Sequence, residues 1–184
     1  MFSQNASRRT WPVDLLAAFA ATLLVLLASA ASGFQTLPAA GDDNDSLLRL
    51  VEVRDLLAGQ GWFDLHQYRM GPEGGFVMHW SRLVDGPLAL IVLAARALTG
   101  STAVAEAAAE LIWPALLYCM SVFCLVRAAR LFGGEQAVLP GIVIAAAALF
   151  FIGIYQPGAL DHHNFQLMLT AAALLLLMEA PRGK

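Results

Sequence analysis

Leu15 to Ala31 reads L-L-A-A-F-A-A-T-L-L-V-L-L-A-S-A-A, with no charged residue between Asp14 and Gly33. Such a run approaches the roughly 20 apolar residues that carry a helix across a bilayer. The pattern recurs, because Leu111 to Val126, Val138 to Tyr155 and Phe165 to Met178 are equally free of charge. Hydrophobic residues make up 59% of the chain and charged residues 14%, against roughly half and a quarter in soluble domains. Lipid is the expected solvent. The expected fold is an all-α integral membrane protein forming a single membrane domain, residues 1–184. About four transmembrane helices are expected, covering about 12–33, 105–127, 137–155 and 164–180.

The first run follows Arg8 and Arg9 and ends in small residues, a pattern shared with signal peptides. Their apolar regions are usually shorter, roughly 7 to 15 residues, so an uncleaved anchor is expected. Pro87 to Leu98 is apolar but short and carries Arg96, which places it among interfacial or re-entrant segments. Lys and Arg concentrate in short cytoplasmic loops. With Pro87 to Leu98 not crossing, Arg8 and Arg9, Arg127 and Arg130, and Arg182 and Lys184 all fall on one side. The expectation is a multi-pass protein of the cell inner (plasma) membrane with a cytoplasmic N-terminus. Residues 34–104 and 156–163 then form external loops, the longer one bearing an amphipathic or interfacial helix.

A net charge of -3 offers no basic field for a phosphate backbone, so nucleic acid is not an expected partner. Cys119 and Cys124 share one apolar run and read as small hydrophobes. Internal repeats and the Walker, dinucleotide and nucleophile-elbow patterns are absent. Trp62, Tyr68, Trp80 and Trp113 read as interfacial anchors, and His66 and His79 as structural.

The chemistry-bearing residues gather in the two outer loops. Asp42, Asp43 and Asp45 precede an apolar-periodic stretch, Ser46 to Ala58, that ends at Gly59. Asp45 is read as its N-cap, able to pair with Arg49 one turn on. Asp161, His162 and His163 follow Pro157 and Gly158 at the outer end of the third apolar run. Two readings stand for these groups: a helix cap and a solvated loop, or a metal or acid–base site. Carboxylate suits hard cations and imidazole suits transition metals.

Three segments resemble the catalytic subunits of oligosaccharyltransferases, within the membrane-embedded C-type glycosyltransferases that use polyprenyl-linked sugars. N-D-S-L-L-R-L-V-E-V-R-D-L-L-A-G, Asn44 to Gly59, is similar to the family's first external loop, with its R-D-x-x-x-G ending at Arg54, Asp55 and Gly59. P-E-G-G-F-V-M-H-W-S-R-L-V-D, Pro72 to Asp85, is similar to the P-x-G segment followed by a tryptophan and a short loop helix. G-A-L-D-H-H, Gly158 to His163, is similar to the second-loop G-x-x-D-x-x motif. The resemblance implies that Asp45 and Asp161 hold a divalent metal, Mg or Mn, and help orient the acceptor; the metal reading of the D-H-H residues adds His162 and His163 as ligands. The resemblance also implies inverting transfer of a glycan from a polyprenyl-linked sugar donor to a peptide or lipid acceptor at the membrane lipid surface. The family also has more spans, another external acid and a soluble domain with a W-W-D motif. The chain is therefore expected to be an N-terminal membrane portion, inactive alone. Another C-type enzyme moving a single sugar, or a noncatalytic membrane subunit or transporter piece, are the alternative readings.

Overall fold

The structure, a computed structural model, describes residues 10–37 and 43–180. Arg8, Arg9, Asp42, Arg182 and Lys184, used above for orientation and for the acidic cluster, lie outside the described residues. The elements are α1 (Trp11–Ala31), α2 (Asn44–Leu57), a two-stranded hairpin of β1 (His66–Gln67) and β2 (Phe76–Val77), α3 (Arg82–Thr99), α4 (Thr102–Gly133), α5 (Val138–Ile152) and α6 (His162–Glu179). The strands pair antiparallel, His66 opposite Val77.

α4 is the hub. It packs against α1, α3, α5 and α6 and buries more of its apolar length than α1 or the 135–152 segment. Those outer helices instead turn large side chains outward, including Leu16, Leu24, Leu139, Ile144 and Phe151, as lipid-facing helices do. Their inner faces are small. Ala18, Ala21 and Thr22 are buried on α1, and the Thr22 hydroxyl donates to the Ala18 carbonyl at 2.8 Å. On α5, a Cβ at Gly141 would sit 2.7 Å from the Ala129 Cβ. Glycine there sets how closely α5 approaches α4.

Among the described residues, three helices are long and apolar enough to cross a membrane: Trp11–Ala31, Thr102–Gly133 and Glu135–Ile152. The expected fourth span is helical but is not among them, because α6 carries His162, His163, Asn164 and Gln166 in its first turns and Glu179 in its last. α4 extends well beyond the expected 105–127 at both ends. Arg127 therefore lies inside the helix, while Arg130 stands in its last turn. The expected Pro87 to Leu98 segment is longer too. Ser81 accepts from the Leu83 amide and starts α3 five residues earlier, as a hydroxyl cap can. α3 is amphipathic, carries Arg82, Asp85 and Arg96, and is not one of the three long apolar helices. Gly100, at φ 70°, ends it, and Ser101 caps α4 immediately after, folding α3 back along α4.

Charge fixes the helix register at one end. Asp14 is fully buried and accepts from Arg130 Nη2 at 2.6 Å and Arg127 Nη1 at 2.9 Å. Arg127 Nη2 donates to Glu179 at 2.6 Å and its guanidinium lies 5.5 Å from the Trp11 ring. The start of α1 and the ends of α4 and α6 are thus tied together. Farther along, Tyr118 donates to the Ala146 carbonyl at 2.9 Å, and Trp113 faces Phe165 with ring centroids 5.7 Å apart. Trp113 is 3% exposed and Trp80 8%, which corrects their reading as interfacial anchors: both pack inside the protein. Trp62 and Tyr68 are exposed.

Removing one partner of a buried ion network leaves the others desolvated without compensation, at about 3 to 5 kcal/mol. Asp14→Ala is expected to cost that much stability in a reversible unfolding titration in mixed micelles. An unchanged midpoint would show that Asp14 is not the brace.

Candidate functional site

The end of the molecule away from Asp14 is built by the two loops expected to be external, and backbone accounting explains how they are held. Pro114 lies inside α4 and has no N–H, so the carbonyl four residues earlier, that of Glu110, loses its helical donor. The Gly158 amide takes that place, donating to Glu110 O at 2.8 Å. Gly158 sits at φ 94°, a backbone conformation that favours glycine. Two residues on, the Leu160 amide donates to Ser46 Oγ at 2.9 Å, and Ser46 Oγ donates to Asp43 Oδ2 at 2.8 Å. Ser46 is fully buried. One hydroxyl therefore joins the start of α2 to the loop before α6.

Asn164 completes the cradle. Its Nδ2 donates to the carbonyls of Ala159 at 2.9 Å and Ile154 at 3.2 Å, and its own carbonyl accepts from Tyr155, whose hydroxyl also meets Ser121.

Asp161 caps α6, accepting from the His162 amide at 2.6 Å. Its two carboxylate oxygens face the Nδ1 atoms of His162 and His163 respectively, and the two imidazoles stack with centroids 4.5 Å apart. One ligand atom from each of the three residues lies within 4.8 Å of the others. Burial works to raise the Asp161 carboxyl. The bonds from His163 and the His162 amide, with the charge of both imidazoles when protonated, outweigh it and hold the group below the usual carboxylate range. The acid stays ionised, and the donor set of one carboxylate and two imidazoles fits a divalent cation of the Mn type better than Mg.

Asp161 and His163 line a cleft of about 560 Å³ together with Asp43, Ser46 and Asn164. Ile152, Ile154 and Pro157 line it as well, and Ile152 and Phe151 are exposed at the end of α5.

The first loop departs from expectation at Asp45. The N-cap is Asp43, in extended conformation, its carboxylate accepting from the amides of Asp45 and Ser46. Asp45 is already helical, in the first turn, so its carboxylate is past the position that reaches those amides. It is half-buried and is not among the groups lining the cleft. Both loops do come together, as expected of a joint site, but the acid that shares the cleft with Asp161 is Asp43.

Arg49 does not pair with Asp45. It is fully buried, with Nη1 donating to Asp85 at 2.7 Å and Glu52 at 3.2 Å. Arg82 joins them, bonding Asp85, the carbonyls of Glu52 and Asp64, and the Gln60 side chain. Two guanidiniums and two carboxyls so close an inner cluster that fastens α2 and the hairpin region to α3. An i, i+3 spacing placed Arg49 near Glu52 and Arg82 near Asp85 in the sequence. Nothing local could show that the two pairs meet.

Burial, then the Asp85 carboxylate, push the Glu52 carboxyl up to about 7 against the pull of Arg49 and Arg82. A carboxyl raised from its ordinary 4.5 is held more tightly protonated in the folded state. Its contribution to stability is complete below the unfolded value and lost as pH rises to about 7. Glu52→Gln removes that titration. The melting temperature of the parent is expected to fall relative to the variant between pH 4.5 and pH 7, and parallel curves would contradict the assignment.

A scan against protein-family models, a search of curated proteins and a search of solved structures each found no match.

Proposed function

We propose that the chain is the membrane portion of a polyprenyl-phospho-sugar-dependent glycosyltransferase, similar to oligosaccharyltransferases, with a metal-assisted acidic site on its external face. The observation that supports this most is the cleft: two residues of a carboxylate–imidazole cluster line a space bordered by both ionisable and apolar residues, and exposed apolar side chains stand at the adjoining end of α5. A ligand with a phosphorylated head and an isoprenoid tail combines those two chemistries.

In this reading Asp161, with His162 and His163, holds a divalent cation, which when bound offsets negative charge on a departing phosphate. Asp43 lines the same cleft, fixed by its bonds to the first turn of α2, where a carboxylate can orient an acceptor group or complete the ligand set. The resemblance gives that role to Asp45, two residues on, and the two acids are separable by substitution. The acceptor attacks the anomeric carbon, the bond from that carbon to the phosphate oxygen breaks, and the phosphate leaves with the electron pair. α6 is the fourth crossing, α3 lies at the outer membrane surface without crossing, and the Asp14 brace sits on the cytoplasmic side. The charges buried in the helices around Asp14 neutralise one another, which makes them a brace and not an ion path.

Binding of a short-chain polyprenyl phosphate to the chain in nanodiscs tests the proposal. Binding is expected to tighten with Mn²⁺. Asp161→Asn is expected to reduce that metal-dependent gain about 10-fold or more, the scale of ligand-shell changes. Asp43→Asn should weaken it while folding normally, since Asn caps as well as Asp. Polyprenyl phosphate binding with no dependence on metal, or none at all, would overturn the reading.

A further inference from the structure

The Trp80 indole lies between the buried charge cluster and the carboxylate–imidazole cluster. The Arg49 guanidinium carbon is 4.3 Å from the ring centroid, and the His162 ring centroid is 5.6 Å away at an interplanar angle of 49°. Trp80 itself is almost fully buried, in the segment just ahead of α3, where the Met78 amide bonds the Leu65 carbonyl at 2.8 Å.

Each neighbour of the indole has a distinct constraint. Arg49 is immobile, because Asp85 and Glu52 hold Nη1, and its Nε and Nη2 have no hydrogen-bond partner among the described residues. The π face of Trp80 is what this part of the cation meets, an attraction that grows when both groups are desolvated. His162 is the opposite case. It is partly exposed at the first position of α6, and its imidazole can reach Asp161 only in a limited range of rotamers. An aromatic ring packed beside it restricts that range.

We propose that Trp80, clamped by Arg49, is a positioning residue that holds the His162 imidazole with Nδ1 toward Asp161, so that it shares a divalent cation with Asp161 and His163. This rests on the metal reading of that cluster. Outer-shell groups that orient a ligating imidazole are commonly worth about 10- to 100-fold in metal affinity. The burial of Trp80 against Arg49 and His162 makes the first loop an organising part of the second-loop site.

The test is a titration of the full chain in nanodiscs with Co²⁺ alone, read by its visible ligand-field absorption, in a cycle of Trp80 and His162 variants. Trp80→Leu is expected to weaken Co²⁺ about 10-fold and reduce the imidazole contribution to the spectrum. Trp80→Phe, which keeps a smaller aromatic face, should lose about 2- to 5-fold and carries the test should the leucine variant not fold. In a His162→Ala background neither change is expected to matter, because the two residues act through one contact. Equal loss in both backgrounds would mean that Trp80 only supports the fold, and no loss in either would mean that it does not act on the site. Both results would overturn this inference while leaving the metal reading in place. A parent chain that binds no Co²⁺ would overturn the metal reading and this inference with it.

Discussion

One backbone hydrogen bond carries the end of the molecule away from Asp14: the Gly158 amide donating to the carbonyl of Glu110. That carbonyl has no helical donor because Pro114 lacks an N–H, and an unanswered backbone acceptor inside an apolar bundle is costly. The proline therefore creates a socket on α4, and the loop before α6 fills it. From that contact follow the positions of Leu160 against Ser46, of Asn164 under the loop and of Asp161 at the start of α6. The acid is placed by hydrogen-bonded peptide groups and not by loose packing.

The two ends of the bundle use buried charge differently. Around Asp14, cations from the end of α4 meet an acid from the start of α1 and another from the end of α6, so the ions lock helix register. Around Arg49, the ions join α2 to α3, and one guanidinium is left facing an indole. Buried ion pairs are weak evidence for net stability, but breaking one is expensive. Both clusters thus act chiefly as constraints on which arrangement is possible.

Much of this was legible in the sequence, and the residues show where legibility ended. The apolar runs at 15–31, 111–126 and 138–155 announced the long helices because lipid-facing and core-facing surfaces are both apolar, and the stretch after Asp45 announced α2 through its periodicity and Gly59. Asp161, His162 and His163 stood out because polar residues follow an apolar run. The cap of α2 was read two residues late, since D-D-N-D offers several acids and only backbone geometry distinguishes Asp43 from Asp45. Trp80 and Trp113 were placed at an interface because composition cannot tell an anchor from a core aromatic. The meetings of Arg49 with Asp85, of Asp14 with Arg130, and of Gly158 with Glu110 join residues far apart in the chain. No local pattern encodes them, although Pro114 marked that one carbonyl needed a partner.

The central claim is that the Asp161 carboxylate and the imidazoles beside it form a metal site. Pulsed electron paramagnetic resonance of Mn²⁺ added to the purified chain in nanodiscs tests it most directly. Nitrogen modulation from directly bound imidazole is expected in the parent chain, diminished in His163→Ala and absent in Asp161→Asn. A spectrum showing only water-coordinated Mn²⁺ in the parent chain would contradict the claim.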